Sequence, residues 1–177
     1  MNEELKKENY ADVLFFDEAR FGTHTKIGYG WFPKGKRTPV KIKIGYKAFY
    51  VFGAVSAKTG SNYSASFPNV NTETMNEYLK MLSENYKKQK IAIIMDGAGW
   101  HRSKDLKIPE NIDIFLLPPY SPELNPVERF WGYLKKNVLH NRLFESLEEI
   151  EESLQVFLDG LQNNTIAQLC NNNYLDI

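Results

Sequence analysis

Cysteine is nearly absent from this chain: Cys170 is the only one in 177 residues, so no internal disulfide can form, which suits a reducing cytoplasm. Three scattered histidines (His24, His101, His140) and that single thiol argue against a structural zinc site. Any metal is therefore expected to be a hard ion held by carboxylates. Long apolar runs are missing too. The VLFF and FLLPP stretches fall far short of a membrane span, and MNEELKKENYADV offers no apolar signal-peptide core. Net charge is also lacking, with 22 basic against 22 acidic side chains, which at first sight counts against a DNA partner.

What is present is a globular composition, 42% hydrophobic and 14% aromatic, on a chain long enough for one real core. No internal repeat, low-complexity tract or Pro/Gly/Ser linker divides it, so residues 1–177 are expected to form one domain. The charges are segregated. Lys34, Lys36, Arg37, Lys41, Lys43 and Lys47 follow one another without an acid, whereas Glu145, Glu148, Glu149, Glu151 and Glu152 follow one another without a base. A basic face can hold a phosphate backbone even at zero net charge, and two solvated faces would look the same.

Periodicity orders the elements. ADVLFFD reads as a short buried strand, followed by strand-like segments around KIGYGWF, VKIKI, AFYVFGAVS and SNYSASF. In VKIKI the alternation predicts Val40, Ile42 and Ile44 on one face, with Lys41 and Lys43 on the other. Met75, Tyr78, Leu79, Leu82 and Tyr86 then recur at helical spacing behind a cap at Asn71 or Thr72. IAIIMD and IDIFLL are two further compact strands. One helix begins at Asn125-Pro126 and carries Val127, Phe130, Trp131, Leu134 and Val138 on its apolar face. A second begins at Ser146, with Glu149 completing a capping box, and buries Leu147, Ile150, Leu154, Leu158 and Leu161. The tail is read as a short helix and a fray. Antiparallel strands first and helix-linked strands afterwards predict an α/β fold, one mixed sheet with helices on its faces.

Three acids stand out by position: Asp17 ends the first buried strand, Asp96 ends another, and Glu128 opens a helix after a proline-rich loop. Strand ends in such sheets gather reacting groups. Three converging carboxylates repel one another unless cations neutralise them, and two Mg²⁺ or Mn²⁺ ions are the usual solution for phosphoryl transfer. Each acid also has a structural reading: Asp96-Gly97 is an ordinary turn dipeptide, and Asn125-x-x-Glu128 behind Pro126 fits a helix cap by itself.

The neighbours of these acids are FFDEARFG (15–22), MDGAGWHRS (95–103) and LPPYSPELNPVERFWGYLKK (117–136). Together they resemble the three signature blocks of the mariner-like transposases of bacterial insertion sequences, over about residues 11 to 160. The resemblance implies a ribonuclease H-like fold with a five-stranded sheet, and a catalytic, metal-binding triad of Asp17, Asp96 and Glu128. It implies cleavage at transposon ends followed by attack of the freed 3′-hydroxyl on target DNA, supported by two Mg²⁺ or Mn²⁺ ions. Transposon-end and target DNA are the implied partners, with a possible homodimer. The implied location is the bacterial cytoplasm, at the nucleoid when bound to DNA. Three departures matter. The interval 97–127 is slightly shorter than is common in the group, Gly97 stands where many relatives carry Asn, and no amino-terminal helix-turn-helix region is expected. DNA-end recognition would then come from a separate helix-turn-helix polypeptide. The alternative is an inactive remnant or assembly module.

Other residues complete the expectation. His101 could touch a scissile phosphate or serve as a structural histidine. Glu18, next to Asp17, should point to the opposite sheet face. Asn125 is expected to cap the helix that presents Glu128, Tyr120 to stand in a stiff loop beside the site, and Trp131 to belong to the core. Lys34, Lys36, Arg37, Lys41 and Lys43, with Lys135 and Lys136 second, are the candidates for DNA-backbone contacts.

Overall fold

The structure, a computed structural model, describes residues 2–6, 8–27, 31, 33–35, 39, 41–98 and 103–171. A short helix α1 (Asn2–Leu5) precedes strand β1 (Asp12–Gly22), which is followed by β2 (Ala48–Ser56) and β3 (Asn62–Phe67). Helix α2 (Thr72–Asn85) leads to β4 (Ile91–Met95) and β5 (Ile112–Leu116), and α3 (Val127–Val138), α4 (Leu147–Asp159) and α5 (Asn163–Cys170) close the fold. The strands form one mixed sheet in the order β3-β2-β1-β4-β5. β1 pairs antiparallel with β2 and β2 with β3, whereas β1 pairs parallel with β4 and β4 with β5. No helix among the described residues is long and apolar enough to cross a membrane.

Both faces of the sheet are covered, as its apolar strands require. The odd positions Phe15, Ala19 and Phe21 of β1, with Ala92 and Ile94 of β4, pack with Val127, Phe130, Trp131 and Leu134 of α3 and with Ile150 and Leu154 of α4. The even positions Leu14 and Phe16, with Ile91, Ile93 and Met95, pack with Met75, Tyr78, Leu79 and Leu82 of α2. Asn71 caps α2 by accepting from the Thr74 amide at 2.9 Å. Ser146 caps α4, accepting from the Glu149 amide at 3.2 Å. The Glu149 carboxylate reaches back to the Glu145 amide at 2.8 Å, one residue earlier than a regular capping box places it. Ile150 and Leu154 are buried, while Leu147, Leu158 and Leu161 are only half-buried.

Of two further expected strands, one lies largely outside the described residues and the other is irregular where it is described. Of KIGYGWF, residues 28–30 and 32 lie outside the described residues, and Lys26 makes only an isolated bridge to His140. Residues 41–47 are irregular, Ile42 and Ile44 are exposed, and Val40 lies outside the described residues. The pairing beyond Gly22 is uneven, with the Thr23 amide donating to the Lys47 carbonyl and the Thr25 amide to that of Lys43. The longer side therefore bulges. At the bulge Gly45 lies so close to Thr23 that no side chain fits. Lys43, between exposed Ile42 and Ile44, is the half-buried residue of the three. Its ammonium turns in to the carbonyls of Phe144 and Glu145, at 3.0 and 3.1 Å, and to the Glu145 carboxylate at 3.0 Å.

Candidate active site

Parity and register bring two acids together. Asp17 continues the odd row of β1 toward the α3 side of the sheet, and Asp96 continues the row of Ala92 and Ile94 on that same side. Phe15 pairs with Ile94 in the parallel ladder, so two residues further along the strands Asp17 comes level with Asp96. Asp96 stands just past the end of β4. Asp17, expected to end its strand, lies inside β1, which runs on to Gly22 because β2 continues to pair with it; it sits just beyond the last parallel pair, Phe15 with Ile94. Asp96 is exposed, and its Oδ1 accepts from the Ala98 amide at 3.1 Å, an Asx-type turn.

Helix α3 brings the third. Pro126 takes its cap position, and Glu128 sits exposed in its first turn, where the helix dipole favours a carboxylate. Buried Asn125 joins that end of the helix to β1, donating from Nδ2 to the Phe16 carbonyl at 2.9 Å and accepting from the Val127 amide at 3.3 Å. The residue before Asp17 and the residue before Glu128 are thus held by one side chain. Three residues on from Glu128, the Trp131 indole N–H donates to Asp17 Oδ2 at 3.1 Å.

Asp17, Asp96, Glu128 and Asn125 line one cavity of about 470 Å³, walled by the Pro118-Pro119-Tyr120 loop. Tyr120 stands at its rim fully exposed, on left-handed backbone with φ 59°. The other acids act on Asp17. Burial raises the Asp17 carboxyl to about 7, helped by the charges of Glu128, Glu18 and Asp96 and opposed by the Glu18 backbone amide. Lys135 lies two turns beyond Glu128 with its ammonium 5.8 Å from the centre of the Phe21 ring. Burial and the charge of Lys26 lower its pKa, while Glu128 and Asp17 oppose that shift.

The donor chemistry of this cavity suits a hard divalent cation: carboxylate oxygens that repel one another, with no thiol or imidazole lining it among the described residues. The carboxylates are not drawn into a closed cage. Among the described residues no three His, Cys, Asp or Glu side chains stand close enough to hold one ion. Asp17 is held by the Trp131 N–H, while Asp96 and Glu128 are exposed.

The remaining candidates divide. His101, Lys36 and Arg37 lie outside the described residues. Lys34, Lys41 and Lys136 are exposed, Lys135 is half-buried near the acids, and Lys43 is engaged with Glu145. Glu18 occupies the strand position after Asp17, opposite Phe52, on the α2 side. Sequence reasoning placed Trp131 in the core and overlooked its N–H. A tryptophan on an apolar helix face gives no sign of where its one donor points.

Residues 12–151 match the profile of the DDE superfamily endonucleases, and the chain belongs to that family. Among curated relatives, an uncharacterised protein of Sinorhizobium fredii is 41% identical over 102 residues, 57% of this chain and 76% of that protein. The uncharacterised 39 kDa protein of insertion element IS630 from Shigella sonnei is 26% identical, over 83% of this chain and 44% of that protein. The Tc3 transposase of Caenorhabditis elegans is 24% identical, over 91% of this chain and 53% of that protein. The chain thus spans about half the length of these last two relatives. The Mos1 strand transfer complex superposes with a TM-score of 0.71 at 14% identity, covering 95% of this chain and 53% of that one. The catalytic domain of Mos1 mariner transposase gives 0.64 at 12%, covering 95% and 80%. The fold is therefore ribonuclease H-like, as the sequence blocks implied.

Proposed function

We propose that this chain is the catalytic domain of an insertion-sequence transposase, cutting DNA at transposon ends and joining the freed 3′-hydroxyl to target DNA. The observation that carries this reading is the meeting of Asp17, Asp96 and Glu128 at one cavity, in a member of the DDE superfamily endonucleases. In the first reaction water attacks phosphorus and the bond to the 3′-oxygen breaks, leaving a 3′-hydroxyl and a 5′-phosphate. In the second that hydroxyl attacks a target phosphodiester and displaces its 3′-oxygen, so one P–O bond forms as another breaks. Asp17, Asp96 and Glu128 would hold two divalent ions, Mg²⁺ or Mn²⁺, which would supply positive charge to the reacting phosphodiester. Mos1 paired-end complexes have been solved with Mn and with Mg, which supports that metal choice.

The chain's own residues organise the site. Asn125 keeps the start of α3 against β1, so Asp17 and Glu128 hold a fixed relation. The proline-rich loop of residues 118–122 is stiff and walls the cavity. Lys135 adds a cation near the acids, suited to a phosphate oxygen. The DNA partners are transposon ends and target, with a second copy of the chain and a separate helix-turn-helix polypeptide as further partners in end recognition.

Nicking of supercoiled plasmid with Mg²⁺ or Mn²⁺ tests the reading. Metal-dependent nicking is expected from the wild-type chain and none above background from Asp96→Asn. Equal nicking by both would overturn the triad. A folded wild-type chain that never nicks, even with transposon-end DNA, would favour the inactive remnant or assembly module.

A further inference from the structure

Trp131 is almost wholly buried at 1% exposure, yet its indole N–H does not point into the hydrophobic core around it. It donates to Asp17 Oδ2 at 3.1 Å, across 114 positions of sequence. The sheet is built to admit the ring. Asp17 is paired across the β1–β2 ladder with Gly53, and a Cβ at Gly53 would stand 2.8 Å from Trp131 Cζ2 and closer still to Cη2. The residues beside Gly53, Phe52 and Ala54, carry side chains toward α2, so Gly53 is the gap through which the indole reaches the neighbouring strand.

We propose that Trp131 is a positioning residue for Asp17: its N–H fixes one carboxylate oxygen, and with it the plane in which the other is offered to a divalent cation. This rests on the reading of Asp17 as a metal ligand. The physical case is general. A carboxylate rotates about χ2 over a broad well, and a donor on a rigid ring removes that freedom. Partners that orient a ligand from behind are worth about 10–100-fold in metal affinity. Trp131 also sits one turn beyond Glu128 on the same helix, so the bond that orients Asp17 also sets the distance from Asp17 to the third acid.

Trp131→Phe removes the donor but also leaves a void. The decisive replacement is therefore β-(3-benzothienyl)alanine at position 131, which keeps the bicyclic shape and has no N–H. Two readouts are needed in addition to nicking. In the metal-free chain, the Trp131 indole ¹H–¹⁵N resonance should move upfield in Asp17→Ala. Mn²⁺ titration followed by electron paramagnetic resonance should show affinity about ten-fold weaker or more in the isostere, at a thermal midpoint close to wild type. An indole resonance indifferent to Asp17→Ala would overturn the proposal, as would isostere affinity within two-fold of wild type. A wild-type chain that binds no Mn²⁺, with the indole resonance still sensitive to Asp17, would instead overturn the metal-site reading and take this proposal with it.

Discussion

Asp17 shows how a single side chain can make folding stability depend on pH. An unfolded chain titrates this carboxyl near its ordinary value of 3.8, and the native site holds it at about 7. Between those values the native state binds the extra proton, so stability declines as pH rises through the window and stays low above it. Below about pH 4 the carboxyl is protonated in both states and the penalty vanishes. Each pKa unit corresponds to roughly 1.4 kcal/mol, so the penalty is at most on the order of 4 kcal/mol. Asp17→Asn keeps an oxygen to accept the Trp131 N–H and removes the charge. In chelator, it should be more stable than wild type at pH 8, and the two should converge near pH 4, by urea denaturation at both pH values. Added Mn²⁺ should stabilise wild type and leave the variant unchanged, because only the ionised carboxylate rewards a cation. A variant no more stable than wild type at pH 8 would mean that Asp17 is not strained by its surroundings.

At the scale of elements, what the sequence disclosed depended on how local the cause was. β4 and α3 were legible because continuous apolar runs or a 3.6-residue stripe belong to the segment itself. Asp17 and Asp96 were legible as candidates because each ends such a run. The irregular path of residues 41–44 was not legible because a distant partner holds it: the Lys43 ammonium lies on Glu145 and two carbonyls. No alternation pattern carries that information. Trp131 was correctly buried and incompletely understood for the same reason, since its partner is a long way off in sequence. Caps lie at the local end of this range and allow a prediction with little else involved. Ser146 accepts from the Glu149 amide at 3.2 Å at the start of α4, and α4 holds only Ile150 and Leu154 as fully buried anchors. Ser146→Ala should cost about 1 kcal/mol. Hydrogen exchange should show the first turn of α4 opening more readily, with β1 and β4 unchanged. Equal loss of protection throughout would place α4 in the same cooperative unit as the sheet.

The whole molecule carries 22 basic and 22 acidic side chains, so its affinity for DNA depends on where the charges lie. The Lys43–Glu145 contact at 3.0 Å joins the basic stretch to the acidic start of α4 and withdraws one cation from that stretch. As a partly exposed pair it contributes little stability, about 0–1 kcal/mol. Its consequence is electrostatic: Lys34, Lys41 and Lys136 keep exposed side chains, while Lys43 is already matched. Each lysine that neutralises a phosphate contributes about 0.9 to the slope of log affinity against log salt. On a non-specific duplex, alanine at Lys41 or Lys136 should lower that slope by about one each, and weaken binding evenly across sequences. Lys43→Ala should leave the slope at the wild-type value. The measurement is duplex affinity by fluorescence anisotropy over a salt series in chelator, which keeps the metal site out of the comparison. A slope that falls for Lys43→Ala as much as for Lys41→Ala would mean that DNA displaces Glu145 from Lys43. Glu145, just before α4, would then act as a competitor for the basic segment, holding it until a phosphate backbone takes its place.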